Sequence, residues 1–307
     1  MSKIGFVFPG QGAQIDLMGK EFFDAFEEVR NYFEIASDIM GINMEELCFE
    51  KDNRLNQTKY TQPGLFLTCY SIAKIVSDKG LKADMTAGLS LGEYTAIAYG
   101  NSITFEEGIL ALKARGALME EAMPNGIGTM AAVLGLEGNK VNEVIRNIQN
   151  VTVANYNTPK QIVITGLNDS VKEAEIKLKE AGAKMVKHLD VSGPFHSPFL
   201  TEAGIKLKTV LDEIPFKKLD TPYVTNVNGE IVKDNSLIVD LLVKQISSPV
   251  MWNQSINMMI EQGIDTFVEL GPSKTLTNMI KKINKSVKVY NISNISEMEK
   301  VIGELVC

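Results

Sequence analysis

MTAGLSLGEY, residues 85–94, joins a short apolar run to a stretch of helical composition through a serine set between two glycines. Read as strand, turn and helix, MTAGL (85–89) feeds LGEYTAIAYG (91–100), and Ser90 sits on the turn in a Gly-x-Ser-x-Gly pattern. Small flanking residues let such a turn be sharp enough to lift a serine hydroxyl into a pocket as a nucleophile. The same letters suit an ordinary helix start, with Ser90 as N-cap and Glu93 three residues on as in a capping box. The pentapeptide supports both readings, and the rest of the chain has to separate them.

Working outward, short apolar runs alternate with amphipathic stretches of helical length, which implies an α/β fold with a largely parallel sheet. KIGFVF (3–8) reads as a first buried strand, FEEGILALKARGALMEEA (105–122) as a helix stopped by Pro124, and PYVTNV (222–227) and TFVEL (266–270) as later strands of the same sheet. Between them the rhythm changes. TMAAVLG (129–135), a helix around 137–149, VTVANYN (151–157), IVITG (162–166), a helix over 169–181 and KMVKHLDV (184–191) follow the order βαββαβ of a ferredoxin-like unit. The expected organisation is a large subdomain built from 1–124 and 193–307, a small one over 125–192, and a cleft between them, where ligand pockets favour domain junctions.

Composition narrows the function classes. The chain has 307 residues, 45% of them hydrophobic and 22% charged, as expected of a globular protein with a substantial core. The brief apolar run near the start, broken by Pro9 and Gly10, fits neither a signal segment nor a membrane span, so a cytoplasmic protein is expected. Cys48, Cys69 and Cys307 are scattered and suggest buried or incidental thiols, with neither a disulfide framework nor a metal site. A net charge of −7 argues against nucleic-acid binding. The exception is SKTLTNMIKKINKSVK (273–288), where Lys274, Lys281, Lys282, Lys285 and Lys288 occur with no acid among them. Such a run is ordinarily a solvated helix face.

A serine nucleophile requires a base, because its hydroxyl is hardly ionised at neutral pH. The chain has two histidines. His188 falls in a strand, where a satisfied structural role is expected, whereas His196 falls in VSGPFHSPFL (191–200), a Gly/Pro-punctuated loop where the chain crosses back over the cleft. Acyl transfer also needs donors aimed at the developing oxyanion. The N–H of Leu91, next after the nucleophile, is one, and FPGQGAQ (8–14) is a suitable loop for another; it matches neither GxGxxG nor the Walker pattern of phosphate-binding loops. Arg115, among apolar neighbours on the 105–122 helix, is by default a structural ion-pair partner, but at the end of an acyl pocket it would bind a carboxylate such as that of a malonyl group.

Taken together, FVFPGQGAQ (6–14), GLSLGEY (88–94), KARGALMEEAMP (113–124), NYNTPKQIVITG (155–166), GPFHSP (193–198), KQISSPVMW (244–252) and VELGPSKTL (268–276) resemble, in order and over nearly the whole chain, the malonyl-CoA:acyl carrier protein transacylases and related acyltransferase domains of fatty-acid and polyketide synthases. The resemblance implies an α/β-hydrolase-like core with a ferredoxin-like insertion. It makes Ser90 the nucleophile, His196 its base, and Gln245 the residue whose backbone carbonyl orients the imidazole. It further makes Gln11 and Leu91 the oxyanion N–H donors, Arg115 the ligand of the malonyl carboxylate, and Phe195 a residue that sets pocket size.

The implied reaction is ping-pong, without metal or bound cofactor. Ser90 takes malonyl from malonyl-CoA, and the phosphopantetheine thiol of acyl carrier protein then takes it from Ser90. An acidic carrier would make the lysine run a docking surface. A monomeric enzyme of fatty-acid synthesis is expected; a polyketide acyltransferase, an acyl hydrolase on the same scaffold and a catalytically silent docking subunit are the alternatives. One letter departs from the family pattern: Leu89 stands where histidine usually precedes the nucleophile.

Overall fold

The computed structural model describes residues 2–124, 126–191 and 193–306. Cys307, and Asn125 and Ser192 at the expected subdomain limits, lie outside the described residues. Five strands form one parallel sheet in the order β7-β2-β1-β8-β9, comprising β1 (Lys3–Phe8), β2 (Met85–Gly88), β7 (Tyr223–Val224), β8 (Ile264–Leu270) and β9 (Lys288–Ile292). Helices cover both of its faces, which is why β1 and β2 are largely apolar and every residue of β8 except Asp265 is buried, Thr266 and Glu269 included. Of PYVTNV only Tyr223 and Val224 pair in the sheet, shorter than expected. The chain turns out of the ladder at once, Gly229 N–H bonding the Thr225 carbonyl, and this frees Asn226 for a role at the elbow.

The middle of the chain forms its own antiparallel sheet in the order β4-β5-β3-β6, from β3 (Gly128–Leu134), β4 (Val151–Thr158), β5 (Gln161–Leu167) and β6 (Met185–His188). Helices Gly138–Ile145 and Asn168–Glu180 pack on one face around Val133, Ile164, Val171 and Leu178. This is the ferredoxin-like βαββαβ order read from the sequence. The other face turns toward the parallel sheet, and Ala132, Val163 and Met130 join the core of the larger unit. Backbone bonds clamp the two together: Val250 N–H to the Ala154 carbonyl (2.8 Å) and Tyr156 N–H to the Val250 carbonyl (2.9 Å).

Cys48 and Cys69 are buried free thiols. Burial pushes the Cys48 thiol up to about 12, so it is unreactive at neutral pH. Among the described residues no helix is long and apolar enough to cross a membrane, and no cluster of His, Cys, Asp and Glu is arranged to hold a metal ion.

Candidate active site

The turn after β2 has the geometry of an elbow. Ser90 has φ 56°, the left-handed region, which costs a non-glycine residue about 1–2 kcal/mol. The glycines on either side are required by space: a Cβ on Gly88 would lie 1.9 Å from the Gly92 carbonyl carbon, and one on Gly92 would lie 2.2 Å from the Phe8 carbonyl oxygen. Asn226 holds the turn, accepting from Ser90 N–H (2.7 Å) and donating to the Gly88 carbonyl (2.7 Å). The helix itself begins at Gly92 with Leu91 as N-cap and no side-chain cap. The capping-box reading therefore fails. The Ser90 hydroxyl is engaged elsewhere, and the Glu93 carboxylate accepts from Asn226 N–H (3.1 Å) instead of turning back to Ser90 N–H.

Ser90 Oγ lies 2.8 Å from His196 Nε2. On the other side of the ring, Nδ1 faces the backbone carbonyls of Gln245 (2.9 Å) and Ser248 (3.2 Å). A carbonyl only accepts, so Nδ1 carries the proton and Nε2 presents its lone pair to the serine hydroxyl. His196 is 4% exposed and also has a left-handed backbone, φ 57°. Burial, then the nearby Arg115 cation, lower its pKa to about 4, against the raising effect of the two carbonyls. The imidazole is thus neutral at physiological pH, as a general base must be. Among the described residues no carboxylate takes part; two peptide carbonyls orient the ring in its place.

Arg115, on the helix Phe105–Glu121, is fully buried. Its Nη1 donates to Gln62 Oε1 (2.7 Å), and its Nη2 to Ser90 Oγ (3.0 Å) and Gln245 Oε1 (2.9 Å). The guanidinium also stands over the Tyr94 ring, 5.5 Å from its centroid. Among the described residues no carboxylate lies within ion-pair distance of it, and its Nε has no hydrogen-bond partner. Burial lowers its pKa, yet arginine stays charged in proteins. A buried cation with no carboxylate in direct contact is costly, and it is a ready partner for an anionic ligand.

These groups border a cavity of about 280 Å³ between the two sheets. Ser90, His196, Gln11, Leu91 and Phe195 all line it, whereas Arg115 lies just behind Ser90 and Gln62. The guanidinium was expected at the end of the pocket; it forms the layer beneath the wall, within reach of Ser90 Oγ. Among the described residues the backbone N–H groups of Gln11 and Leu91 make no hydrogen bond, which leaves both available to an oxyanion. Leu89 lines the same cavity and packs against the apolar cluster that includes Val7, Val224 and Trp252, adding an apolar flank and no donor. The small sheet supplies Met130, Ala132 and Val163, with Asn155 and Asn157 beside them.

His188 stands apart, half-exposed and 3.0 Å from Glu175, in the structural role expected of it. Lys274, Lys281, Lys282, Lys285 and Lys288 are exposed, and Lys274 is paired with Glu297 at 2.9 Å. Helix Thr275–Ile283, which carries two of these lysines, turns Leu276 and Met279 toward the cavity. Sequence reasoning missed Gln62, Asn226, Ser248 and the true partners of Glu93. Each acts across the fold, so only the polar character of residues in apolar surroundings could have hinted at them.

Residues 5–305 match the family described as acyl transferase domain. Among curated proteins, the malonyl CoA-acyl carrier protein transacylase of Bacillus subtilis (strain 168) is 37% identical over 99% of this chain and 98% of its own length, and that of Staphylococcus aureus (strain MSSA476) is 36% identical over 97% and 98%. Among solved structures, the malonyl CoA-acyl carrier protein transacylase of Clostridium perfringens is 42% identical with a TM-score of 0.95, covering 99% of this chain and 98% of that one. A malonyl-transacylase solved in complex with its type II polyketide acyl-carrier protein is 33% identical with a TM-score of 0.96, covering 99% and 100%. With a family match over nearly its whole length and a serine, histidine and arginine converging on one cleft, the chain belongs to the acyl transferase domain family.

Proposed function

We propose that the protein transfers the malonyl group of malonyl-CoA to the phosphopantetheine thiol of acyl carrier protein, through a malonyl ester on Ser90. The observation that carries this reading is the buried Arg115 cation, which no carboxylate touches among the described residues and which lies 3.0 Å from the nucleophilic oxygen. His196 Nε2 accepts the Ser90 proton as Oγ attacks the thioester carbonyl, and the N–H groups of Gln11 and Leu91 bind the oxyanion. The proton passes to the leaving CoA thiolate as the carbon–sulfur bond breaks. In the second half His196 takes the proton of the carrier thiol, whose sulfur attacks the ester, and returns it to Ser90 Oγ. The malonyl carboxylate draws Nη2 of Arg115 away from Ser90, which binds the acyl group and frees the nucleophile together. Gln245 orients His196 through its carbonyl, and Phe195 limits the bulk of the acyl chain.

The same reading divides the chain into 1–124 with 193–307 and 125–192, in keeping with the two sheets, and places a cytoplasmic monomer in fatty-acid synthesis. It seats the acidic carrier near Lys274, Lys281, Lys282 and Lys285, beside the helix that borders the cavity. No metal or bound cofactor enters the scheme. Intact-protein mass spectrometry after incubation with acyl-CoAs, with and without holo carrier protein, tests it. Malonyl should load on Ser90 in preference to acetyl and clear only when carrier is added; clearance by water alone would make the protein a hydrolase.

A further inference from the structure

The carboxylate of Glu93 lies one residue removed from Arg115. It is fully buried on the elbow helix, and its Oε2 accepts from Gln245 Nε2 at 2.8 Å. The other end of the same amide, Gln245 Oε1, accepts from Arg115 Nη2 at 2.9 Å. Gln245 Nε2 also donates to the Ser90 carbonyl (2.9 Å), so the amide cannot turn over without losing bonds at both ends. Glu93, Gln245 and Arg115 thus form one continuous buried line that ends on Ser90 Oγ.

From this line we infer that Glu93 is a specificity-determining, positioning residue: it is the internal carboxylate that balances Arg115 when the site is empty and opposes the carboxylate of an incoming acyl group. This rests on the reading of Arg115 given above. The physical reason is that two carboxylates would share one cation that is itself fully buried, where like charges are poorly screened. Arrival of the acyl carboxylate then favours the protonated form of Glu93, and a proton enters the protein with it. The ionisable groups facing Glu93 are Arg115 from the long helix, Tyr223 from β7 and Tyr94 beside it, and burial keeps both phenols neutral. Burial also raises Glu93 itself to about 7, against the lowering effect of the Gln245 amide, which places the exchange within the working pH range.

The test compares the initial rates at which malonyl-CoA and acetyl-CoA load Ser90, as a ratio of kcat/KM, in the parent, Glu93→Gln and Arg115→Ala. Titrations of His196 and of the CoA phosphates are common to both substrates and cancel in the ratio. In the parent the malonyl preference should fall about tenfold between about pH 6 and about pH 9, as ionised Glu93 increasingly opposes the acyl carboxylate. Glu93→Gln keeps the acceptor for Gln245 without the charge, so its ratio should stay flat at the parent's low-pH value. A parent-like decline in Glu93→Gln, or a flat ratio in the parent, overturns the inference. Loss of the preference in Arg115→Ala supports the underlying reading independently, and its retention there overturns that reading and the inference with it. Should Glu93→Gln fail to fold, calorimetry of loading in the parent near pH 7 in two buffers of different ionisation enthalpy decides the matter. Acyl exchange from CoA to serine leaves no net proton at that pH, so greater uptake for malonyl than for acetyl supports the inference and equal uptake overturns it.

Discussion

The two sheets meet at one cavity but contribute unlike things to it. The parallel sheet delivers backbone strain and buried polarity: Ser90 on its left-handed turn, Asn226 from the strand that stops short, and Glu93 and Gln245 behind them. The antiparallel sheet delivers an apolar wall with two asparagines and a complete hydrophobic core of its own on its far side. Reactive groups sit where the fold tolerates strain because the surroundings over-determine it, whereas the regular sheet sets shape.

The largest effect that sharpens this contrast is expected at the elbow. Ser90→Ala should abolish the acyl-enzyme and lower transfer by about 10³-fold or more, measured as loss of the malonyl adduct by mass spectrometry. Arg115→Ala should lower malonyl loading by roughly 10²-fold and acetyl loading far less, because it removes a charge-assisted contact made to one substrate alone.

The pH dependence should follow from His196. Its pKa is lowered to about 4, so the base is neutral above that value and becomes protonated below it. Loading should therefore keep its base down to about pH 4 and fall roughly tenfold per unit beneath, and Arg115→Ala, by removing a lowering cation, should move that limb upward. A limb near the ordinary histidine value in the parent would show that the site is wetter than its burial implies.

On the cavity wall, Phe195→Ala should raise loading of a branched acyl group such as methylmalonyl by a few-fold, about 1 kcal/mol of relieved crowding, in competition assays against malonyl. The smallest effect on chemistry is expected within the small sheet's core. Ile164→Ala should cost about 2–4 kcal/mol of stability in denaturant melts and leave loading per folded molecule unchanged. A large rate loss there would break the division of labour between the sheets.

Much of this was legible beforehand because it rests on local rules. The change from buried apolar runs to the βαββαβ rhythm foretold two sheets, and β3 through β6 follow it strand for strand. PYVTNV misled because its apolar alternation is that of a strand, while the chain turns at Thr225–Gly229 and Asn226 within that turn bonds Ser90, 136 positions away. The capping box at Ser90 and Glu93 misled for a related reason: the spacing is right, but both side chains have stronger partners far along the chain, His196 for one and Gln245 for the other. Leu89 was visible as a departure, and the fold shows it as an apolar flank to the nucleophile.

The sequence by itself determined the alternation of strands and helices, the elbow with its obligatory small flanks, and the short list of residues able to act as nucleophile, base and cation, because those depend on local sterics and on scarcity. Only the tertiary structure decided that Arg115 lies behind Ser90 instead of at the cavity's end, that the Ser248 carbonyl joins that of Gln245 at the His196 ring, and that Glu93 is tied to Arg115 through one glutamine amide. Hydrogen bonds between residues 25 to 152 positions apart carry no local periodicity, and their partners are fixed only when packing excludes water and leaves each polar group one place to turn.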